Sequence, residues 1–351
     1  MKIAALILTI VICAGILASW SVSTPIFNER LERIPDEAFQ IEAPHQALTF
    51  ARTTSDELLL VLRANQESAE VVDLSAAMQQ ELSDPLQALR QFSYAQIAAA
   101  ASNDTETYAL EELGLPLVPH YPHIAAGTNF RAHAEEVGIE EGPFLFPKLT
   151  RATPWNADVP LRTRLDYEAE LCAVPLHTYT ATTQADFGFV LCSDFTDRWT
   201  LVKDIDLDAP MGRTGFSDAK GGPGMLSIGP FFVVPQDDAT FYPDLHLGLY
   251  LNEDLRQRDR AGLMIWTPHE IASQALQQCD AEFLTDSGMV GLTSCGSIAA
   301  GTLLLTGTPA GVLFHLANLW NPTAYVQAGD TVTTYATGLG MLQNRVKETT
   351  H

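Results

Sequence analysis

The sequence predicts a mainly β chain of the α+β class with few helices, on three observations. From about residue 115 onward, short β-branched and aromatic runs alternate with Gly/Pro turns. One helical stretch interrupts them, Pro268 to Cys279, with Ile271, Ala275 and Leu276 on one face. Of the 351 residues, 46% are hydrophobic and 18% charged, enough apolar material for a large core and too little charge for a disordered chain.

Taken in order, Ile3 to Trp20 is an uncharged run behind Lys2. At 18 positions it reads either as a short membrane anchor or as a secretory signal, so residues 1–23 are set apart. Both readings make the remainder membrane-anchored or exported, with the membrane reached only through this segment. Residues 24–46 mix Pro, Glu and Arg without periodicity and read as a linker. Residues 47–115 read as a small α/β region: Leu58–Leu62 and Glu70–Leu74 are strands, and Ser75–Ala101, rich in Ala, Gln and Leu, holds one or two helices. The body, 116–346, carries the strands Phe187–Leu191, Phe231–Val234 and Leu247–Leu251.

With 20 Lys+Arg against 43 Asp+Glu, the formal charge is −23. That excludes a nucleic-acid partner, which requires clustered cations, and disfavours docking on anionic lipid. Five cysteines without a C-x-x-C pair form neither a disulfide scaffold nor a zinc knuckle. Cys172 and Cys192 read as small core hydrophobes, with a cross-strand disulfide left open, and Cys295 as a buried thiol.

The most informative stretch is Leu165–Val174. As a strand it puts Asp166, Glu168 and Glu170 on one face and Tyr167, Ala169 and Leu171 on the other. Acids entering a core repel one another and lose hydration unless a cation compensates. The face is either solvated or holds a metal, and carboxylate ligands alone favour magnesium, manganese or calcium over zinc. Around it, in order, stand Asn129-Phe130-Arg131-Ala132-His133-Ala134-Glu135-Glu136, Phe144–Lys148, Asp194 with Arg198 four residues on, Ala219-Lys220 ahead of Gly229-Pro230, and Thr306-Gly307-Thr308-Pro309-Ala310-Gly311.

This series, in this order, resembles the fumarylacetoacetate hydrolase family over roughly residues 47 to 346. The resemblance implies a mixed β-roll or sandwich, and a Mg2+ or Mn2+ site (Ca2+ is the third option) on Glu168, Glu170 and Asp194. It implies Lys220 near the metal-bound oxygens, His133 and Glu136 as an acid–base pair, and Arg198 and Thr308 as holders of a substrate carboxylate. Asp166 is left as a structural acid. The implied activity is hydrolysis of a C–C bond in a small 2-oxo-acid or 1,3-dicarbonyl substrate, acylpyruvate- or fumarylacetoacetate-like, by a homodimer. Decarboxylation, isomerisation or hydration of a related 2-oxo acid is the alternative, as is a membrane-tethered relative that binds without turnover.

The chain departs from the family pattern where substrate is read: Leu201 stands where Gln is frequent, Ser193 where Asn is, and Gly221-Gly222-Pro223-Gly224 follows Lys220. Pro119-His120-Tyr121-Pro122-His123 reads as the entry to a strand rather than a metal pair.

Overall fold

A computed structural model of the chain describes residues 13–22, 25 and 27–348. Its strands are β1 (Ala47–Arg52), β2 (Leu58–Ala64), β3 (Ser68–Asp73), β4 (Glu106–Ala109), β5 (His120–Gly127), β6 (Phe144–Lys148), β7 (Val159–Pro160), β8 (Leu165–Asp166), β9 (Ala169–Pro175) and β10 (Phe187–Asp194). They continue with β11 (Thr196–Asp197), β12 (Leu226–Pro235), β13 (His246–Leu251), β14 (Asp254–Arg260), β15 (Glu282–Thr285), β16 (Gly288–Gly291), β17 (Thr302–Leu305), β18 (Thr331–Ala336) and β19 (Gly340–Lys347). The strands expected at 58–62, 70–74, 187–191, 231–234 and 247–251 are found in β2, β3, β10, β12 and β13, with Leu74 already helical, whereas Leu165–Val174 is divided between β8 and β9.

Ten of them form one sheet, in the order β4-β3-β2-β1-β12-β10-β9-β17-β5-β6. All its pairings are antiparallel except β17 with β5. The four strands before residue 115 therefore share a sheet with the body, joined through β1 and β12. A second sheet, β14-β13-β18-β19-β7, packs on the first where β19 meets β12 and β10. Strands β9, β10 and β12 are buried along their whole length, as their unbroken apolar character demands for strands covered on both faces. The result is a strand-rich α+β architecture.

Helices are short and set by caps. Within Ser75–Ala101 there are three: Leu74–Met78 capped by Asp73, Pro85–Gln91 capped by Asp84, and Tyr94–Ala99 with a Ser93/Gln96 capping box. The stretch Pro268–Gln277 is helical as expected, closed by a Thr267/Glu270 box. Arg198–Asp204 is a helix that the apolar patterning did not announce; its signal is Asp197, whose carboxylate accepts from the Trp199 N–H. In 24–46, Ile34, Ala38 and Phe39 are buried against the core.

Two expectations are corrected and one open alternative is resolved. First, residues 13–22 are helical. Among the described residues no helix is long and apolar enough to cross a membrane, which overturns the membrane-anchored or exported reading. The rest of the apolar run, residues 3–12, lies outside the described residues. Second, of the two readings left open for Cys172 and Cys192, the cross-strand disulfide is the one found, joining β9 and β10. Third, Cys295 is exposed and bonded to Cys279, a pairing the 16-residue separation gave no reason to expect.

The Cys172–Cys192 bond ties together the two strands that carry the acidic cluster. Closing a loop of 20 residues restricts the unfolded chain. Replacing both cysteines by alanine is expected to cost about 3 kcal/mol, a fall in Tm of about 4 °C by calorimetry. A double variant melting with the parent would show that the bond contributes nothing to stability.

Candidate active site

The acidic cluster forms where one apolar strand is interrupted. The sequence reads Leu165–Val174 as continuous, but the ladder breaks at Tyr167-Glu168 between β8 and β9. Side chains take over the backbone bonds there. Asp166 Oδ1 accepts from the N–H groups of Tyr167 (2.9 Å) and Leu313 (3.0 Å), and Gln257 Oε1 accepts from Ala169 N–H (2.9 Å). Glu168 keeps one link to its neighbour: its carbonyl accepts from Asp194 N–H at 2.9 Å.

The break brings Glu168 and Glu170 against Asp194, the last residue of β10. One carboxylate oxygen from each lies within 4.8 Å of the others, and all three residues are buried. Three buried cations surround them. Lys220 Nζ lies 2.7 Å from Glu168 Oε2 and 2.9 Å from Asp194 Oδ2. Lys148, at the end of β6, places Nζ 2.5 Å from Asp194 Oδ1 and donates also to the carbonyls of Met225 (2.9 Å) and Lys220. Arg198 bridges Asp166 (2.8 Å) and Glu168 (2.6 Å).

Four acids thus face three cations, and the unmatched charge falls on Glu170. Glu170 accepts instead from a backbone donor, the Gly307 N–H at 2.7 Å. The electrostatics follow. Burial pushes the Glu168 carboxyl up, but Lys220 and Arg198 outweigh it and hold it at about 2. Burial raises Glu170 well above the usual carboxylate range, and the charges of Asp194 and Glu168 raise it further. Burial would lower Lys220, yet Asp194 and Glu168 keep it above its ordinary value. The all-oxygen donor set and the single uncompensated carboxylate suit a hard divalent cation.

The two glycines of the Thr306–Gly311 motif each aim an N–H at a carboxylate. Gly307 has φ +88°, and a Cβ there would stand 2.9 Å from the Asn129 Cβ. Gly311, at φ +114°, presses against the Arg256 carbonyl, and its N–H bonds both Glu136 oxygens at 3.0 and 3.1 Å. Glu136 in turn meets His133 Nδ1 at 3.2 Å, one turn along the helix Arg131–Val137, and His315 Nε2 at 3.7 Å from the opposite side. Asn129 anchors the start of this helix: its Nδ2 donates to the carbonyls of Trp266 and Thr306 (both 2.9 Å), and its Oδ1 accepts from Trp266 N–H (2.7 Å).

His133, Glu168, Glu170, Arg198, Lys220 and Thr308 all line one cavity of about 570 Å3. Glu136 stands behind His133. Thr308 Oγ1 accepts from Gln257 Nε2 at 2.8 Å. Sequence reasoning missed Lys148, Gln257 and His315. Lys148 had a signal, a lone cation ending the apolar run Phe144–Pro147; Gln257 and His315 had none. His123, in β5, is buried with burial lowering it to about 3 and lies outside the cavity lining.

Residues 122–347 match the family described as fumarylacetoacetate (FAA) hydrolase C-terminal. The oxaloacetate tautomerase of Bacillus subtilis is 25% identical over 265 residues, covering 68% of this chain and 75% of its own. An uncharacterized protein of Methanocaldococcus jannaschii is 27% identical over 234 residues, 64% of this chain and 82% of its own. Among solved structures, the fumarylacetoacetate hydrolase of Exiguobacterium antarcticum superposes with a TM-score of 0.61 at 21% identity, over 86% of this chain and all of that one. Maleylpyruvate hydrolase of Sphingobium, solved with manganese(II) and pyruvate, gives 0.59 at 18% identity, with 86% and 100% coverage. These two share the fold. The family match spans well over half of the sequence, and the chain belongs to the fumarylacetoacetate hydrolase family.

Proposed function

We propose that this chain is a divalent-metal-dependent hydrolase that cleaves a C–C bond in a 2-oxo acid bearing a second carbonyl, an acylpyruvate-like substrate. The observation that carries this reading is a cavity lined by Glu168, Glu170 and a buried histidine held by a carboxylate, with Asp194 buried directly behind the two glutamates. A binding protein has use for the acids but not for the histidine. The manganese and pyruvate of the maleylpyruvate hydrolase structure, and the 2-oxo acid named in the Bacillus relative, support the substrate class.

Glu168, Glu170 and Asp194 would hold Mg2+ or Mn2+, which when bound supplies positive charge that lowers the cost of negative charge on the 2-oxo-carboxylate oxygens. His133 acts on the distal carbonyl. With Nδ1 turned to Glu136, its Nε2 takes a proton from water as the hydroxide adds to that carbon. The C–C bond then breaks, its electrons passing to the oxo-carboxylate half, and the imidazolium returns its proton to the new carbanion carbon. One water is consumed, and the products are pyruvate and a carboxylic acid, which ionises by losing its proton to solvent. Glu136, fixed by Gly311 N–H, keeps the imidazole oriented. Lys220 adds fixed positive charge beside the developing anion. Arg198 contributes charge at the cavity floor, since its Nε and Nη2 are engaged by Asp166 and Glu168. The Thr308 hydroxyl, accepting from Gln257, retains its own O–H for a substrate carboxylate.

Two predictions follow from these assignments. A raised carboxyl binds its proton more tightly folded than unfolded, so its contribution to stability is full at low pH and declines as pH rises from 4.5 through the higher folded value. Metal must displace that proton. Calorimetric titration with Mn2+ in buffers of different ionisation enthalpy should show about one proton released, with affinity falling about tenfold per pH unit below the Glu170 value. Glu170→Gln should lose both this pH dependence and the metal-induced rise in Tm, about 4 °C at a hundredfold excess over Kd. Proton-independent binding would remove Glu170 from the metal site.

His133→Ala should lower kcat by about 10²- to 10⁴-fold while retaining the Mn2+-induced rise in Tm. Full activity in that variant would sink the general-base assignment.

A further inference from the structure

The cavity is divided by polarity, and the division bears on the part of the substrate remote from the 2-oxo acid. Among the described residues its lining cations lie at the acidic floor, and both are already engaged: Lys220 by Glu168 and Asp194, Arg198 by Asp166 and Glu168; His133 there is hydrogen-bonded to Glu136. The remaining charged lining residue is an acid, Glu141.

Above the floor three apolar walls close in. One is a three-ring cluster, Phe144, Phe146 and Phe216, with centroids 4.8 to 6.1 Å apart. The second is the inner side of the helix Arg198–Asp204, where Leu201 and Val202 join Met211. The third is Phe314 with Leu319, and Leu316 lies exposed at the rim; the Phe314 ring lies 5.2 Å from the Arg198 guanidinium, between it and the outer chamber. A second substrate carboxylate entering this chamber would lose its hydration, find no free cation and face Glu141. A hydrocarbon group would gain from the same walls.

Building on the 2-oxo-acid reading above, we propose that the substrate's distal end is a hydrophobic acyl or aryl group, and that dicarboxylates are rejected. The walls act as a hydrocarbon-measuring chamber, while the floor handles the common head group.

The test uses the full chain with Mn2+ and two readouts. In binding, N-alkyl oxamates keep a chelating head without a cleavable bond, and their affinity is read by thermal shift. Affinity should rise about fourfold per methylene from methyl to pentyl. An oxamate whose tail ends in a carboxylate should bind at least a hundredfold more weakly than the alkyl compound of equal length. In turnover, kcat/KM should rank hexanoyl- and benzoylpyruvate above acetylpyruvate, and all of these above succinylpyruvate. Met211→Arg, at a half-buried wall position, should flatten the alkyl series and raise succinylpyruvate activity more than tenfold. A flat alkyl series, or preference for the carboxylate-tailed compounds, overturns the inference and leaves the 2-oxo-acid reading standing. Tail-dependent oxamate binding without cleavage of any acylpyruvate supports the inference and removes the hydrolase. Failure of every oxamate, and of oxalate, to bind with Mn2+ overturns both.

Discussion

The structure around the cavity depends on an electrostatic shortfall: four buried carboxylates against three buried cations. Asp166, Glu168 and Asp194 each meet at least one of Arg198, Lys220 and Lys148 at 2.9 Å or less, but Glu170 has a single amide. Burying ions this way is costly even when they are paired, so the cluster is not an efficient device for stability. Its arrangement makes sense as a receptor for more positive charge. A divalent ion on Glu168, Glu170 and Asp194 would turn a deficit of one into an excess of one, the sign needed to receive an anionic 2-oxo acid. Lys220, which now lies between Glu168 and Asp194, is the group whose position is most directly coupled to that ion.

The backbone sustains this balance at places where side chains cannot. Glu170 and Glu136 belong to different elements and different proposed roles, yet both are held by N–H groups from one six-residue motif, through Gly307 and Gly311. Asn129 bonds the Thr306 carbonyl of that same motif. The histidine helix, the motif and the acidic strand therefore form one connected polar frame. Displacing any part of it changes the distance between His133 and the carboxylate trio, which is the distance over which the proposed hydrolysis must act.

That frame was largely legible in the sequence because charge constrains local pattern. Acids at alternate positions in an apolar run marked Asp166, Glu168 and Glu170 as either a solvated face or a cation site, and the family resemblance narrowed the set to Glu168, Glu170 and Asp194. The interruption of the strand at Tyr167-Glu168 did not stand out, because it depends on Leu313 and Gln257, which are remote in sequence. Gln257 sits in a run of alternating charge that reads as an ordinary solvated strand. Likewise Cys279 and Cys295 meet through the β15–β16 region rather than through any strand pattern of their own. The helical residues 13–22 show the opposite failure: hydropathy suggested a span or a secretory signal, whereas Ser19 bonds Asn318 and Asn321 of the body at 2.9 and 3.0 Å.

The two ends of the cavity answer to different physics, and this accounts for where the family pattern holds and where it drifts. At the floor, exchanging a single charged side chain leaves a buried partner uncompensated, a loss of several kcal/mol. Few substitutions are open there. On the walls, one apolar residue can replace another of similar volume for about 1.5 kcal/mol or less. The walls can therefore be recut for a new substrate while the floor stays fixed. Leu201 illustrates the point: an amide at this position in the helix would present a hydrogen-bonding group to the chamber, and leucine withdraws it without touching Arg198 three residues earlier. On the proposed reading, chemistry and specificity would be divided between residues one turn apart on one helix, with Arg198 at the floor and Leu201 at the wall. A change of substrate can be made within a single turn, at no cost to the charge balance on which turnover depends.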